Sequence, residues 1–277
     1  MNIGIVGLGL IGGSMAKAIK LHTHNRVLGV DLVQSEVLKA ELMGAIDERL
    51  TKDNLATCDA VIVALYPSAI VEWITQHADG FKQNALVIDC GGVKRVICDA
   101  LLPVVSGKGF TFIGGHPMAG REYSGFSYAK DDLFESASMI LTPFPNCEIE
   151  NIARAKALFL EIGFLRVVVT TPKRHDEMIA YTSQMAHIIS SAYVKSELAM
   201  KHKGFSAGSF QDMTRVARLN ENMWSELFLD NREALLSELD GIIARLGEYR
   251  NVLLESDRGE LNRLLREGRE VKEMLEG

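Results

Sequence analysis

Three glycines near the N-terminus have a spacing that lets a polypeptide hold phosphate groups. Gly7, Gly9 and Gly12 form a G-x-G-x-x-G pattern between an apolar run at 3–6 and a helical pattern. In such a pattern the first glycine permits a tight turn, the second lets the backbone approach a pyrophosphate, and the third lets the helix pack closely on its strand. The helix N-terminus then offers free N–H groups and the positive end of its dipole. The pattern predicts a dinucleotide-binding site.

An acidic residue decides which dinucleotide is expected. Asp31 ends a second apolar run about 20 residues beyond the glycines, where its carboxylate can bind both ribose hydroxyls of adenosine and repel a 2′-phosphate. We therefore predict NAD rather than NADP. The alternative is a glycine-rich turn that only packs a helix on a sheet, but strand, glycines, helix, strand and acid occur in the order that a dinucleotide site requires. We also expect four apolar residues to line the cofactor: Leu10, Ile11, Leu65 and Pro67.

Apolar runs predict the sheet that must position these residues. After the first strand, runs at 26–30, 59–65, 85–89 and 110–113 alternate with helical patterns, and further strand candidates lie at 138–141 and 164–169. Near-continuous apolar runs are typical of parallel strands that are buried on both faces. The glycine- and proline-rich segment 114–120 predicts a shaped loop.

The pattern changes after Thr171-Pro172, which is typical of a helix start, because only helical patterns follow. We expect one long helix from 172 to about 200 and several shorter helices after it. The predicted fold is a doubly wound, mainly parallel Rossmann-type α/β sheet in a dinucleotide-binding domain at 1–170. An all-helical C-terminal domain at 171–277 follows it.

Composition limits the partners and the location of the protein. The chain has 277 residues, 47% of them hydrophobic, a net charge of -6 and a pI near 5.7. Its basic residues are scattered among acidic ones, which offers no surface for nucleic acid or anionic lipid. The N-terminus begins a strand rather than a signal peptide, and the cysteines form no C-x-x-C pair. We expect a cytoplasmic protein with a small-molecule substrate, no nucleic-acid or membrane partner and no metal.

Four further motifs carry a resemblance to an enzyme family. The sequence GGHPMAGREYSG at 114–125 resembles the G-x-H-P-[MI]-A-G-x-E-x-S-G motif of prephenate and arogenate dehydrogenases. The resemblance continues in D-x-G-x-V-K at 89–94, in SQMAH at 183–187, and in F-x-DMTRVA at 210–217 with MW at 223–224. It extends over nearly the whole chain. The resemblance implies NAD-dependent oxidative decarboxylation of prephenate to 4-hydroxyphenylpyruvate, or of arogenate to tyrosine.

Such a reaction needs one base, which takes the hydroxyl proton of the substrate while its hydride leaves. Histidine titrates near neutral pH without perturbation, and His116 matches the catalytic histidine of the family. A single histidine is usually structural. The flanking Gly-Gly and Pro-Met-Ala-Gly favour a site residue here.

The substrate carboxylates require cations or directed donors. Arg215 matches the family arginine that binds a substrate carboxylate, and we expect Asp212 and Glu122 to orient it. The alternative for Arg215 is a surface ion pair with Asp212, three residues earlier in the chain, which contributes little.

Three further residues are expected at the substrate. Gln184 and His187 lie one helical turn apart, so both can face the cleft and donate to the side chain of the substrate. A buried structural role is the alternative for His187, and Trp224 can either wall the pocket or belong to the core. Gly92 occupies the position where many family members have a serine that hydrogen-bonds the reacting hydroxyl, so the alignment of the base differs here.

Apolar stripes in the helical half predict association with a second copy. Leu235, Leu239, Ile242 and Leu246 lie on one helix face. We expect a homodimer, with an intramolecular helix bundle as the alternative. Two other functions are open. A β-hydroxyacid-type dehydrogenase shares the domain order, although the segment around His116 argues against it, and a non-catalytic NAD-binding sensor would be compatible with Gly92.

Overall fold

The computed structural model describes residues 1–121 and 123–276. One eight-stranded sheet forms the centre of the described structure, and its strand order is β3-β2-β1-β4-β5-β6-β7-β8. The strands are β1 (Asn2–Val6), β2 (Arg26–Val30), β3 (Glu48–Arg49), β4 (Ala60–Val63), β5 (Leu86–Asp89), β6 (Thr111–Pro117), β7 (Ser138–Pro143) and β8 (Arg166–Val169). All pairings are parallel except that of β6 with β7. The predicted fold class is confirmed.

The helices flank the sheet and then continue beyond it. Those interleaved with the strands are α1 (Leu10–His22), α2 (Gln34–Leu42), α3 (Lys52–Leu55), α4 (Pro67–His77), α5 (Arg95–Val105) and α6 (Ile149–Glu161). Those after β8 are α7 (Pro172–Ile179), α8 (Met185–Tyr193), α9 (Gly208–Thr214), α10 (Glu221–Asp230), α11 (Arg232–Glu255) and α12 (Arg258–Glu276). None of the helices in the described ranges is both long and apolar enough to cross a membrane.

Two apolar clusters hold the sheet between its helices. One packs Ile3 and Ile62 of the sheet against Met15 of α1, and the other packs Val61 against Ile70 and other residues of α4 and α5. Successive residues of β4 therefore point into opposite clusters, and all of its side chains are buried. This explains why its sequence is continuously apolar. The strand order reverses between β2 and β4 on either side of β1, and such a switch point opens a crevice at the carboxyl edge of the sheet.

The expected loop at 114–120 is wrong at its beginning, because β6 continues through His116 to Pro117. Antiparallel pairing with β7 places His116 opposite Ile140. The two glycines serve close strand packing rather than a turn. A Cβ on Gly115 would overlap the carbonyl oxygen of Asp89, and one on Gly114 would overlap the hydroxyl of Thr142. His116 is thus held by a sheet, not by a loop.

The expected long helix from 172 to about 200 is also wrong. It is interrupted by a π turn at Ala180–Gln184 and ends at Tyr193. A π turn inserts one residue into the helical repeat without changing the apolar pattern much, so periodicity does not reveal it. Gln184, the last residue of the turn, is buried.

The apolar stripe on α11 is only partly covered within the chain. Leu235 is buried against Ala180 and Met185. Leu246, by contrast, is 59% exposed, and other large apolar side chains of the last two helices are more than half exposed: Leu236, Ile243, Leu253, Leu254, Leu265, Val271, Met274 and Leu275. The described intramolecular packing leaves an extended apolar surface on α11 and α12.

Candidate active site

The glycine pattern adopts the geometry that a pyrophosphate site requires. Gly7 has a φ of +85°, and a Cβ there would overlap the carbonyl oxygen of Ala64. A Cβ on Gly12 would overlap the carbonyl oxygen of Gly7, so this glycine lets α1 start directly against the turn. Open space lies beside Gly9, with no atom within 4 Å of a Cβ built there. The half-exposed Leu10 and Ile11 form the first turn of α1, whose N–H groups face the same opening.

Asp31 is fixed at the end of β2 in a way that suits a ribose. Its Oδ2 accepts a hydrogen bond of 2.7 Å from the N–H of Leu8, and its Oδ1 accepts one of 2.8 Å from the N–H of Val33. Each carboxylate oxygen keeps a further lone pair for a hydroxyl. The following residues 32–38 include no lysine or arginine that would bind a 2′-phosphate. Leu65 packs beside Gly7, and the buried Pro67 opens α4. These residues fit NAD.

Phe126 and Ala129 contact the two helices that follow the glycine turn and Asp31. The N–H of Phe126 donates to Glu36 of α2 at 2.6 Å, and Lys17 of α1 donates to the carbonyl oxygen of Ala129 at 2.6 Å. Gly13 lies under Phe126, because a Cβ there would be 2.7 Å from its ring. Phe126 and Ala129 are therefore packed and hydrogen-bonded against α1 and α2. Glu122 lies outside the described residues.

His116 belongs to a chain of hydrogen-bonded side chains. Its Nδ1 is 2.8 Å from Nε2 of His175, and Nδ1 of His175 is 2.7 Å from Oδ1 of Asp176. His175 and Asp176 are buried residues of α7, whereas His116 is partly buried at the carboxyl end of β6. Among residues 1–121 and 123–276, the His116 ring has a hydrogen-bond partner at Nδ1 only, which leaves Nε2 available to a ligand. Within the described residues, no buried side-chain nitrogen or oxygen lacks a hydrogen-bond partner.

The environment keeps His116 neutral. Burial of its ring lowers its pKa well below the ordinary value, and the nearby His175 and Lys94 lower the pKa further. A neutral imidazole can accept a proton at neutral pH, whereas an imidazolium cannot. The site therefore holds this histidine in the form that a general base requires.

A buried ion pair supports the residue before His116. Lys94 and Asp89 have fully buried side chains and form an ion pair, and Nζ of Lys94 also donates to the carbonyl oxygen of Gly115 at 2.6 Å. The second carboxylate oxygen of Asp89 accepts the N–H of Gly115 at 3.0 Å. The pair thereby joins the ends of β5 and β6. Both residues belong to the D-x-G-x-V-K motif, whose pattern in the sequence does not indicate this contact with the backbone next to His116.

Arg215 and His187 are brought together by the helical half. Nδ1 of His187 donates to the carbonyl oxygen of Val216 at 2.9 Å, which ties the 3₁₀ turn Arg215–Ala217 to α8. Burial lowers the pKa of His187, and the charge of Arg215 lowers it further. The ring centroids of Trp224 and His187 are 4.0 Å apart. Arg215 and Asp212 are exposed.

The structure places Gln184 differently from the expectation. Its side chain is buried, its Nε2 donates to the carbonyl oxygen of Leu227 at 2.9 Å, and its Oε1 accepts from Asn231 at 2.8 Å. Both ends of the amide are thus used in joining the π turn to α10 and α11. This geometry favours a structural role for Gln184 over the expected contact with substrate.

Gly92 lies against Leu227. A Cβ on Gly92 would be 3.0 Å from Cδ2 of Leu227, so the leucine side chain borders the space that a serine would occupy. A serine at this position would press on Leu227 unless the leucine moved.

Sequence reasoning missed His175 and Asp176. The available signal was a His-Asp pair in the first turns of the helix that begins after Thr171. That signal is weak because a single His-Asp dipeptide indicates nothing about which strand it will face. In the described ranges, no group of three or more histidine, cysteine, aspartate or glutamate residues is arranged to hold a metal ion.

Comparison with known proteins agrees with this geometry. The family model for the nucleotide-binding domain of prephenate dehydrogenase matches residues 15–170, and the model for its dimerization domain matches residues 171–267. A prephenate dehydrogenase of Bacillus subtilis is 30% identical over 280 aligned residues, which cover 98% of this chain and 75% of the relative.

Solved structures of this group have the same fold over the whole chain. The structure of Aquifex aeolicus prephenate dehydrogenase with hydroxyphenyl propionate and NAD⁺ has a TM-score of 0.88 and 27% identity, covering 100% of this chain and 98% of the other. Synechocystis arogenate dehydrogenase has a TM-score of 0.85 and 26% identity, covering 99% and 100%. With both family models matching in order, this chain belongs to the prephenate dehydrogenase family.

Proposed function

We propose that this protein is an NAD-dependent dehydrogenase that converts prephenate to 4-hydroxyphenylpyruvate by oxidative decarboxylation. The observation that carries the proposal is the neutral His116, which keeps Nε2 for a ligand at the carboxyl edge of the sheet. The glycine turn and Asp31 lie at the same edge, because β1, β2, β5 and β6 run parallel. Family membership supports the choice of substrate.

The residues that would hold NAD are those of the glycine pattern and its surroundings. The turn and the first turn of α1 would bind the pyrophosphate, Asp31 the adenosine ribose, and Leu65 and Pro67 the adjoining apolar surface. When bound, NAD supplies the acceptor for a hydride from the substrate ring. The protein itself would position the substrate ring, accept its hydroxyl proton and bind its carboxylates.

His116 would accept the hydroxyl proton of the substrate at Nε2. General-base catalysis of this kind contributes about 10²- to 10⁴-fold in rate. Loss of the ring carboxylate as CO₂ then forms the aromatic product. Arg215 would bind a carboxylate of the substrate through its charge and planar donors, with Trp224 and His187 as neighbours on the helical side. Asp212 would influence the orientation of Arg215, and Gly92 would leave the reacting hydroxyl to His116 alone.

One observation favours arogenate as the alternative substrate. His187 donates through Nδ1 to a backbone carbonyl, and its lowered pKa keeps the ring neutral, so its Nε2 is an acceptor. An acceptor suits the ammonium group of arogenate, whereas the keto group of prephenate requires a donor.

Turnover by the purified protein tests both substrates. We expect NADH formation, followed by absorbance, with NAD and prephenate, and the ratio of kcat/KM for prephenate to that for arogenate decides the preferred substrate. A protein that binds NAD but reduces it with neither substrate would refute the proposal and favour a sensor. Reduction of NAD with a β-hydroxyacid alone would favour the other dehydrogenase class.

We propose further that the chain divides into domains at 1–170 and 171–277, and that the helical domain forms a homodimer in the cytoplasm. The extended apolar surface on α11 and α12 supports this, since monomers rarely leave such surfaces exposed. So does the description of the matching family model as a dimerization domain. Light scattering at micromolar concentration should give twice the mass of the 30.5 kDa chain. A monomer would refute the dimer.

A further inference from the structure

We infer that His175 and Asp176 are positioning residues that select the tautomer of His116. They lie on α7 of the helical half and reach across to a histidine on the sheet. Their role in catalysis rests on the proposed function, but the tautomer itself does not, because it follows from hydrogen bonds within the protein.

The relay begins at a carboxylate that is held from two sides. Oδ1 of Asp176 accepts the N–H of Lys94 at 2.8 Å, and Oδ2 accepts the N–H of Arg95 at 2.9 Å. These N–H groups belong to the start of α5, where no carbonyl of the same helix can accept them. The side-chain amide of Asn231 also donates to the backbone carbonyl oxygen of Asp176 at 2.9 Å. The carboxylate is therefore fixed, and it can only accept hydrogen bonds.

The proton position on His175 follows from that carboxylate. Since Asp176 only accepts, Nδ1 of His175 must carry the hydrogen of their 2.7 Å contact. The ring is buried, and burial lowers its pKa, so it is neutral. A neutral imidazole has one N–H, and Nε2 of His175 is thus an acceptor.

The same argument then fixes the position of the hydrogen on the ring of His116. Its Nδ1 lies 2.8 Å from the acceptor Nε2 of His175, so Nδ1 of His116 carries the hydrogen. Being neutral, His116 has its lone pair on Nε2, the atom that would accept the substrate proton under the proposed function. Without the relay, His116 could equally place its hydrogen on Nε2 and would then have no basic atom toward the substrate.

The relay also suits the state after proton uptake. The imidazolium of His116 keeps its Nδ1–H bond to His175, and the negative charge of Asp176 lies beyond one intervening ring. No proton needs to move along the chain for this stabilisation. Because the pair comes from α7, the base is correctly set only when the helical half is docked on α5.

Two variants of His175 separate this role from simple packing. His175→Phe keeps a flat ring but removes both nitrogens, whereas His175→Gln returns an amide that can accept from His116 and donate to Asp176. With the preferred substrate, we expect kcat to fall by on the order of 10²-fold or more in His175→Phe, within the range for loss of a general base. The KM for substrate and the affinity for NAD should change little, and His175→Gln should recover part of kcat. His77→Phe, at a half-buried histidine of α4 that donates to the carbonyl oxygen of Trp73, is the matched control and should keep its kcat.

The spectroscopic readout needs no substrate. In protein with ¹⁵N-labelled histidine, the two-bond ¹H–¹⁵N pattern of His116, assigned with His116→Asn, should show the Nδ1–H tautomer in the wild type. That pattern should be lost in His175→Phe and retained in His77→Phe.

An Nε2–H tautomer in the wild type, or unchanged kcat and tautomer in His175→Phe, would overturn the relay. If His175→Phe fails to fold, the wild-type tautomer and His175→Gln decide the question. Absence of turnover by the wild type would refute the proposed function but leave the tautomer result valid.

Discussion

Replacing Lys94 by methionine should strongly destabilise the protein, because it breaks an ion pair that is fully out of water. Both side chains of the Lys94–Asp89 pair are 0% exposed. In the variant, Asp89 keeps the N–H groups of Gly91 and Gly115 but loses its counter-charge. Removing one partner of a buried ion pair costs about 3–5 kcal/mol. Methionine has a similar length, so the loss reflects the uncompensated carboxylate more than a cavity.

A surface ion pair in the connections that precede β4 and β5 provides the control. Nζ of Lys82 lies 2.6 Å from Asp59, but the lysine side chain is 46% exposed. Solvent screens this pair, and Lys82→Met should cost about 0–1 kcal/mol. The same chemical change is thus made in a buried and in an exposed setting.

Equilibrium unfolding in urea, at one protein concentration for all variants, measures the difference. We expect the free energy of unfolding of Lys94→Met to lie at least about 2 kcal/mol below that of Lys82→Met, from the two ranges above. Equal losses in the two variants would refute the reasoning, since they would mean that water reaches Asp89 once the lysine is gone.

Three further predictions concern activity. His116→Asn should lower kcat by on the order of 10²- to 10⁴-fold with the affinity for NAD nearly unchanged, and steady-state kinetics with NAD titration would show this; a variant that keeps most of its kcat would place the base elsewhere. NAD should be preferred over NADP in kcat/KM by at least on the order of 10²-fold, because two hydrogen bonds of about 1.5–3 kcal/mol each to Asp31 would be disturbed and a phosphate would face its charge; comparable values would contradict that role. The base works unprotonated, so kcat/KM should fall as the pH drops through the pKa of His116. Because that pKa is lowered, the activity plateau should extend below the ordinary histidine value of about 6.5, and a midpoint above that value would contradict the burial argument.

The cofactor half of the site is predictable because its signals are local in the chain. Gly7, Gly9 and Gly12 lie within six consecutive residues. A side chain on Gly7 or Gly12 would overlap the backbone, whereas Gly9 leaves open space beside the turn. Asp31 is bound to the same turn through Leu8, at the end of an apolar strand. Buried parallel strands require continuous apolar runs, so the sheet is also readable from composition along the chain.

The setting of the base depends on contacts between distant segments, which a linear pattern does not contain. His116 and His175 are 59 residues apart, and Asp176 meets Lys94 across 82 residues. Whether a histidine points at another histidine depends on how α7 docks on α5 and on antiparallel pairing of β6 with β7. The π turn likewise redirects Gln184 into a buried network without leaving a mark on the hydrophobic period. Residue types and local spacing therefore determine the fold class and the cofactor, and they single out the histidine that we propose as the base. Only tertiary packing, acting through burial and hydrogen-bond partners, decides its protonation, its tautomer and which polar residues remain free to meet a substrate.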